Sequence, residues 1–265
     1  MANSNTLSRL FGKFARHAFP TPVQKVINLV YVRLFNIDLT GFAPLESYPT
    51  LNALFTRALQ TPRPLNSDPK ILNAPSDSMI TACGRVEHQQ ALQIKGMAYS
   101  VYELLGLEQP LEDHYHFFNF YLSPKDYHRF HAPCNLKILE ARHFCGELLS
   151  VGQRTLKKRP NVFVRNERVV LIAQDDRGFL LYFVAVGALN VGQIVLNFDP
   201  NIQTNAKIHP KPQIYRYDPP IVLEKGTELG RFEMGSSIVL FVAHSTPLPL
   251  VGQKVLYGTN IATLD

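Results

Sequence analysis

The stretch Glu233-Met234-Gly235-Ser236-Ser237, followed at once by Ile238-Val239-Leu240-Phe241-Val242, decides how the rest of the chain is read. The apolar run, with its β-branched and aromatic residues, fits a buried strand. Gly235 has no Cβ, so its carbonyl can be approached closely and its backbone can take angles closed to other residues. Ser236 offers a hydroxyl able to attack that carbonyl if a base stands nearby. The same residues also read as a turn feeding a C-terminal strand, with Ser237 hydrogen-bonding the local backbone. Short motifs recur by chance, so the choice between these readings rests on what lies upstream.

From Ile80 onward, short apolar runs alternate with turn residues. They predict strands near 79–83, 85–95, 116–122, 136–150, 160–165, 168–174, 179–198, 220–222 and 237–243. Asp175-Asp176-Arg177-Gly178 between two such runs is a hairpin signal. One helix interrupts the series, because Ser100-Val101-Tyr102-Glu103 has capping-box spacing just before Leu104-Leu105. Residues 39–75 are Pro-rich and irregular, with a short helical piece around 51–59. Many short strands argue for a mainly antiparallel barrel or sandwich-like core. With the helices concentrated at the front, the class is α+β.

At the front, Leu7, Leu10, Phe11, Phe14, Ala15, Ala18 and Phe19 recur at helical spacing, with Arg9, Lys13, Arg16 and His17 largely opposite. Pro20 and Pro22 are expected to stop this helix. Val23, Val26, Ile27, Val30, Tyr31, Leu34 and Phe35 make the apolar stripe of a second. No acidic residue precedes Asp38. A basic, aromatic-bearing amphipathic terminus reads as an interfacial membrane anchor, and each Lys or Arg near an anionic surface contributes about 1 kcal/mol. Two helices packed on a domain core would show the same amphipathicity.

The 265 residues are 46% hydrophobic and 18% charged, enough for a real core in one large or two small domains. A formal charge of +6 admits an anionic partner, whether nucleic acid, phospholipid or a phosphorylated substrate. No nucleic-acid-binding signature accompanies it. Cys83, Cys134 and Cys145 contain no C-x-x-C pair, which argues against a disulfide framework or a zinc ribbon and suits three buried small residues in a reducing compartment. No secretory signal is expected, and no apolar run reaches the roughly 18 residues needed to span a bilayer.

Two further groups carry chemistry. Pro75-Ser76-Asp77-Ser78 places an acid in a turn before a strand. Tyr121-Leu122-Ser123-Pro124-Lys125-Asp126-Tyr127-His128-Arg129-Phe130-His131-Ala132-Pro133-Cys134-Asn135 holds two histidines three apart. That spacing lets both share one helical face, but no further ligand is spaced to complete a metal site, so no metal is expected there. His114 and His116 would share a face of a strand. Taken alone, an H-x-x-H between prolines is more often structural than catalytic.

This histidine block resembles the signature of phosphatidylserine decarboxylases. Lys225 to Ser237 is similar to that family's self-cleavage region, usually written Leu-Gly-Ser-Thr, and Pro75-Ser76-Asp77 stands where the family carries its acid. Arg165-Asn166-Glu167-Arg168-Val169-Val170, Val186-Gly187-Ala188 and the basic N-terminal helix pair match in order, so the resemblance covers nearly the whole chain and fits the short bacterial form best. Two positions depart from the pattern. Ser78 replaces a usual Gly, which could alter the turn aiming Asp77 because Ser tolerates positive φ poorly. Met-Gly-Ser-Ser replaces Leu-Gly-Ser-Thr.

The resemblance implies a proenzyme cut between Gly235 and Ser236 into a large chain (1–235) and a small chain (236–265). Asp77 would orient His131, His131 would act as general base toward Ser236, and Ser236 would become a covalent pyruvoyl group. That group would decarboxylate phosphatidylserine to phosphatidylethanolamine through a Schiff base. His128 would protonate the carbanion, because an imidazole titrates near neutral pH. Residues 1–36 would form membrane-associating helices on a catalytic β-rich domain, 37–265. The implied partners are phosphatidylserine and an anionic membrane surface, with a homodimer admitted and no nucleic acid. The implied location is peripheral, on the cytoplasmic face of the cell membrane. The alternatives are a pyruvoyl-dependent decarboxylase of a soluble amino acid and an unprocessed lipid-binding relative.

Overall fold

The computed structural model describes residues 4–265 apart from 95, 96, 113, 190–192, 206–208, 210 and 234. Met234, the end of the strand expected at 85–95 and the middle of that expected at 179–198 therefore lie outside the described residues. Helices α1 (Ser4–Arg16), α2 (Thr21–Phe35) and α3 (Leu51–Phe55) come first. Then follow β1 (Ile71–Asn73), β2 (Ser78–Arg85), β3 (Gln90–Ile94), β4 (Met97–Ser100), helix α4 (Val101–Leu105), β5 (Tyr115–Leu122), β6 (Arg129–His131) and β7 (Leu136–Phe144). Helical turns α5 (Gln153–Leu156) and α6 (Val162–Arg165) lead to β8 (Arg168–Asp175), β9 (Leu180–Gly187), β10 (Gln193–Leu196), β11 (Gln213–Leu223), β12 (Glu228–Glu233) and β13 (Ser236–Ala243). The chain ends with β14 (Ser245–Pro247), β15 (Lys254–Val255) and β16 (Asn260–Leu264).

Eight strands make one antiparallel sheet in the order β11-β7-β8-β9-β13-β5-β2-β15. Among the described residues it has two edges and does not close into a barrel. Strand β13 lies inside it, between β9 and β5, and all eight of its residues are buried. Side chains alternate across a strand. Ile238, Leu240 and Val242 accordingly join one core layer with Phe118, Phe120 and Leu171, while Val239, Phe241 and Ala243 join the other with Phe117, Val170 and Val184. The first layer is covered by a small sheet, β10-β12-β6, through Ile194, Phe232 and Phe130. The second is covered by β4, α4 and α6 through Tyr99, Leu104 and Phe163. This is a sandwich-like α+β fold.

Several expectations change. The run at 160–165 is a helical turn: Asn161 starts it at φ 55°, and Arg165 N and Asn166 N donate to Asn161 O and Val162 O at 2.9 and 3.0 Å. The turn buries the adjacent Val162 and Phe163 together, which an extended strand would point to opposite faces. The strand expected over 136–150 stops at Phe144, and that at 220–222 is part of the longer β11. The capping-box reading holds at the cap, where Ser100 Oγ accepts from Glu103 N at 3.1 Å. Pro22 does not stop a helix; it sits in the first turn of α2, where its missing N–H costs nothing. Of the cysteines only Cys134 is buried, and no disulfide joins them.

Helix α2 is turned against its sequence pattern. Gln24, Asn28 and Tyr31 are buried, whereas Val23, Val26, Val30 and Leu34 are exposed. A polar ladder explains the orientation, since Gln24 Nε2 donates to Asn28 Oδ1 (2.8 Å) and Asn28 Nδ2 donates to Tyr48 O (3.0 Å). Tyr31 and Ala15 pack with Ile37, Tyr48, Leu51, Leu54 and Phe55, joining α1 and α2 to α3.

Candidate active site

Ser236 opens β13 opposite Leu122 of β5 and Gly187 of β9. By the alternation of the strand its side chain shares the face of Ile238 and Leu240, the face on which β6 and β12 pack. Gly235 just before it has φ +58°, a left-handed conformation that an L side chain rarely adopts. Ser236 is buried, and its Oγ has no hydrogen-bond partner among the described residues. Leaving such a group unpaired costs about 1–3 kcal/mol, so its persistence calls for a chemical reason.

From Leu122 the chain turns through Ser123–Asp126 to both candidate histidines. The Asp126 carboxylate fixes this turn: Oδ2 accepts from Ser123 N and Oγ at 2.8 and 2.7 Å, and Oδ1 pairs with Lys254 Nζ at 3.1 Å. The buried Arg57 donates through Nη2 to Lys125 O (2.7 Å) and Asp126 O (3.2 Å). His128 follows, fully buried, with Nδ1 donating to Asp126 O at 2.9 Å and its ring 3.9 Å from that of Phe55. Its Nε2, like Nε and Nη1 of Arg57 and Oγ of Ser76, is a buried polar atom with no hydrogen-bond partner among the described residues. Burial pushes the His128 pKa down to about 3, against the favourable Asp126 carbonyl and with a smaller contribution from Arg57. This corrects the expectation that His128 titrates near neutrality: at pH 7 it is a neutral imidazole with its proton on Nδ1 and a bare lone pair on Nε2.

His131, three residues on, is also neutral, its pKa lowered chiefly by burial despite the Gly226 carbonyl and the nearby Glu228 and Asp77 charges. Nδ1 donates to Gly226 O at 2.9 Å, and Nε2 accepts from Tyr127 OH at 3.0 Å. The ring stacks on Tyr257 at 3.9 Å. Asp77 makes no direct hydrogen bond to His131. Its carboxylate pairs with the Arg63 guanidinium through both oxygens, and Oδ1 also accepts from Tyr257 N at 2.8 Å. Tyr257 thus links acid and imidazole, holding Asp77 with its backbone and stacking its ring on His131. Ser78 has no positive φ; it is the first residue of β2, paired with Val255, so the concern raised by the missing Gly does not materialise.

The structure therefore brings Asp77 and His131 into one polar cluster; Ser236 pairs with Leu122, and His128 stands in the turn that leaves Leu122, each with an unpartnered polar atom. Sequence reading missed Arg63, Tyr257, Tyr127 and Gly226 as parts of this cluster. Tyr127 lies within the histidine block and Gly226 within the quoted Lys225–Ser237 stretch; Arg63 and Tyr257 are remote, and a lone Arg or Tyr carries no signal of its own. His114 and His116 stand elsewhere, with His114 stacked on His244 at 4.1 Å.

Next to Gly235 lies an apolar cavity of about 590 Å3, lined among others by Phe14, Val30, Leu34, Phe55 and Pro124. It joins the helices α1 and α2 to the scissile candidate, and Phe55 separates it from His128.

The family model for phosphatidylserine decarboxylase matches residues 51–263. The chain belongs to the phosphatidylserine decarboxylase family. A phosphatidylserine decarboxylase proenzyme of Helicobacter pylori strain Shi470 is 54% identical over 261 residues, covering 98% of this chain and 97% of the relative. One from Campylobacter jejuni is 45% identical, covering 99% of this chain and all of the relative, and one from Alkalilimnicola ehrlichii is 37% identical over 83% of this chain and 77% of the relative. As a member of this decarboxylase family the chain is an enzyme, and the relatives' proenzyme name implies a processed form.

Proposed function

We propose that this chain cuts itself between Gly235 and Ser236 and then decarboxylates phosphatidylserine to phosphatidylethanolamine at the membrane surface. The observation that carries the reading is the buried, unpartnered Ser236 Oγ directly after a left-handed glycine, with His128 Nε2 another buried, unpartnered atom in the turn that follows β5. In processing, Ser236 Oγ adds to the Gly235 carbonyl carbon and the C–N bond breaks, leaving an ester and a free amine on residue 236. His131 takes the hydroxyl proton at Nε2, the atom that accepts from Tyr127 OH before the reaction, and the Asp77 charge favours the imidazolium that forms. β-Elimination then expels the Gly235 carboxylate, and water replaces the nitrogen as ammonia, leaving a pyruvoyl group at the head of β13. Once formed, that carbonyl supplies an electron sink for the pair left behind by departing CO2.

Rigidity suits β13 to this task, since the residues behind position 236 are all buried and 237–242 are paired on both sides. His128 is neutral at working pH, so it acts first as an acceptor. Its Nε2 lone pair accepts a hydrogen bond from the substrate amine, and the imidazole passes a proton to the α-carbon after CO2 has left, taking its replacement from water. The apolar cavity beside Gly235 supports a lipid substrate, because a soluble amino acid would need no such space. The exposed Val26, Val30 and Leu34 of α2, with Lys25 and Arg33 on the same helix, support residues 1–36 as an interfacial segment of a peripheral protein, for which we keep the cytoplasmic face. None of the described helices is long and apolar enough to cross a membrane.

Intact-mass measurement tests the first step. The wild type should lose its 30.0 kDa species to two chains, and Ser236→Ala should stay whole and lack activity. His131→Ala should stay whole too, whereas His128→Ala should be cut yet fail to decarboxylate. A fully active uncut wild type would end the cleavage reading, and a fully active His128→Ala would end the division of labour between the histidines.

A further inference from the structure

A second cluster of reactive side chains lies outside the site described above. Antiparallel pairing sets His143 of β7 opposite Val169 of β8 and Phe144 opposite Arg168. That register brings Cys145, just past the end of β7, and Glu167, just before β8, next to His143. One donor atom from each of His143, Cys145 and Glu167 lies within 4.8 Å of the other two. We propose that these three residues bind one divalent transition-metal ion of the zinc class.

The donor set is chemically apt. An imidazole, a thiolate and a carboxylate together neutralise a doubly charged ion, and this nitrogen–sulfur–oxygen mixture is what zinc accepts. The soft thiolate speaks against calcium or magnesium, which prefer oxygen alone. The ring of His143 is held as a metal-ligating histidine is held. Its Nδ1 donates to Gln213 Oε1 at 3.1 Å, which turns the Nε2 lone pair toward Glu167 Oε1, 2.8 Å away. In that tautomer two acceptors face each other in a buried place, and a metal cation or a proton must stand between them. Glu167 Oε1 is held as well, by Asn205 N at 2.8 Å, and Cys145 Sγ accepts from His209 N at 3.3 Å. Tetrahedral zinc would set the donors about 3.3–3.6 Å apart, so His143 and Glu167 part slightly and the sulfur closes in. Cys145 is only partly buried, which leaves a path of entry and a fourth position for water.

The site would act as a staple. The backbone carbonyl of Glu167 accepts from Gly187 N at 2.8 Å, and Gly187 is the strand partner of Ser236. An ion joining β7 to the start of β8 would thus stiffen the strand backing the candidate catalytic residue without touching it.

The competing occupant of the His143–Glu167 gap is a proton, and one experiment separates the two. The full-length protein, stripped by chelation and kept reduced, is titrated with Co2+ and then Zn2+ while its absorption is followed. We expect about one Co2+ per chain, a thiolate-to-cobalt charge-transfer band, and loss of that band on adding one equivalent of Zn2+. Cys145→Ser should abolish the band, whereas Cys83→Ser and Cys134→Ser should keep it. His143→Gln should weaken binding by about 10- to 100-fold or more. Zn2+ should also raise the unfolding temperature of the wild type and leave that of folded Cys145→Ser unmoved. No charge-transfer band in the wild type, a band that survives Cys145→Ser, or an equal thermal shift in both proteins would overturn the proposal and leave a proton-bridged pair.

Discussion

Strand β13 and helix α2 are both apolar in sequence, yet the fold sets them on opposite sides of the solvent boundary. All eight residues of β13 are buried, shared between two core layers, and the strand carries the candidate catalytic serine at its head. Helix α2 hides Gln24 and Asn28 and leaves Leu34 72% exposed. Water opposes the second arrangement: each exposed large aliphatic side chain forgoes about 1.5–3 kcal/mol of burial. A lipid interface removes that penalty. The contrast teaches that an apolar stripe identifies a surface to be covered but not what covers it. For β13 the cover is the protein itself; for α2 we propose that it is the bilayer.

Truncating one side chain in each region breaks or sharpens the comparison, and the largest effect belongs to β13. Phe241→Ala removes a fully buried ring from the layer holding Phe117 and Val184. It should cost about 3–5 kcal/mol, a large part of the 5–15 kcal/mol typical of a domain. Urea denaturation in the Ser236→Ala background, where the chain stays in one piece, would measure it. A loss below about 1 kcal/mol would mean that β13 is not the rigid platform described here.

The polar groups buried in the two regions differ in kind, which gives the next prediction. Gln24 and Asn28 do not titrate, but His128 does. Its folded pKa is depressed to about 3 from an ordinary 6.5. Above pH 6.5 neither state carries the proton. Below it the unfolded chain takes up a proton that the folded chain refuses, so stability present at pH 7 is lost as the pH falls toward 3, at about 1.4 kcal/mol per pH unit. His131, also depressed, adds to the same slope. In the Ser236→Ala background, denaturant midpoints between pH 7 and 5 should fall more steeply than in the same protein carrying His128→Asn. Equal slopes would show that His128 is not held neutral by burial.

How much of this was legible beforehand depends on the range over which each feature is encoded. The strand at 237–243, the Asp175–Gly178 hairpin and the Ser100 cap are local patterns, and the structure has all three. The α+β class followed from them. The run at 160–165 misled because its buried Val162 and Phe163 suit a strand by propensity, whereas the surrounding layer takes them as one helical turn. The candidate site was legible where the chain puts its chemistry close together, in the block holding His128 and His131. The Arg63–Asp77–Tyr257 connection could not be read, because its members meet only through the sheet. Nor could the neutrality of His128, which is a property of its burial and not of its neighbours in sequence.

The smallest expected change in stability is at Leu34, and it tests the other half of the comparison. Leu34→Ala removes a side chain that packs on little protein, so urea stability in the Ser236→Ala background should move by no more than about 0.5 kcal/mol. Yet Leu34 lines the cavity beside Gly235 and stands out from the surface proposed to enter the lipid interface. Losing most of that contact forfeits about 1–2 kcal/mol of apolar transfer, so sedimentation with phosphatidylserine vesicles should show about a tenfold weaker partition. Leu34→Glu should weaken it further, because a charge is added facing anionic headgroups. The control lies on the buried face of the same helix. Asn28→Ala leaves Tyr48 O without its donor and should reduce stability by about 1–3 kcal/mol while the folded protein still binds vesicles. If Leu34→Ala instead destabilises the fold and leaves vesicle binding intact, the exposed face of α2 is covered by protein, and the two apolar stretches serve the same purpose after all.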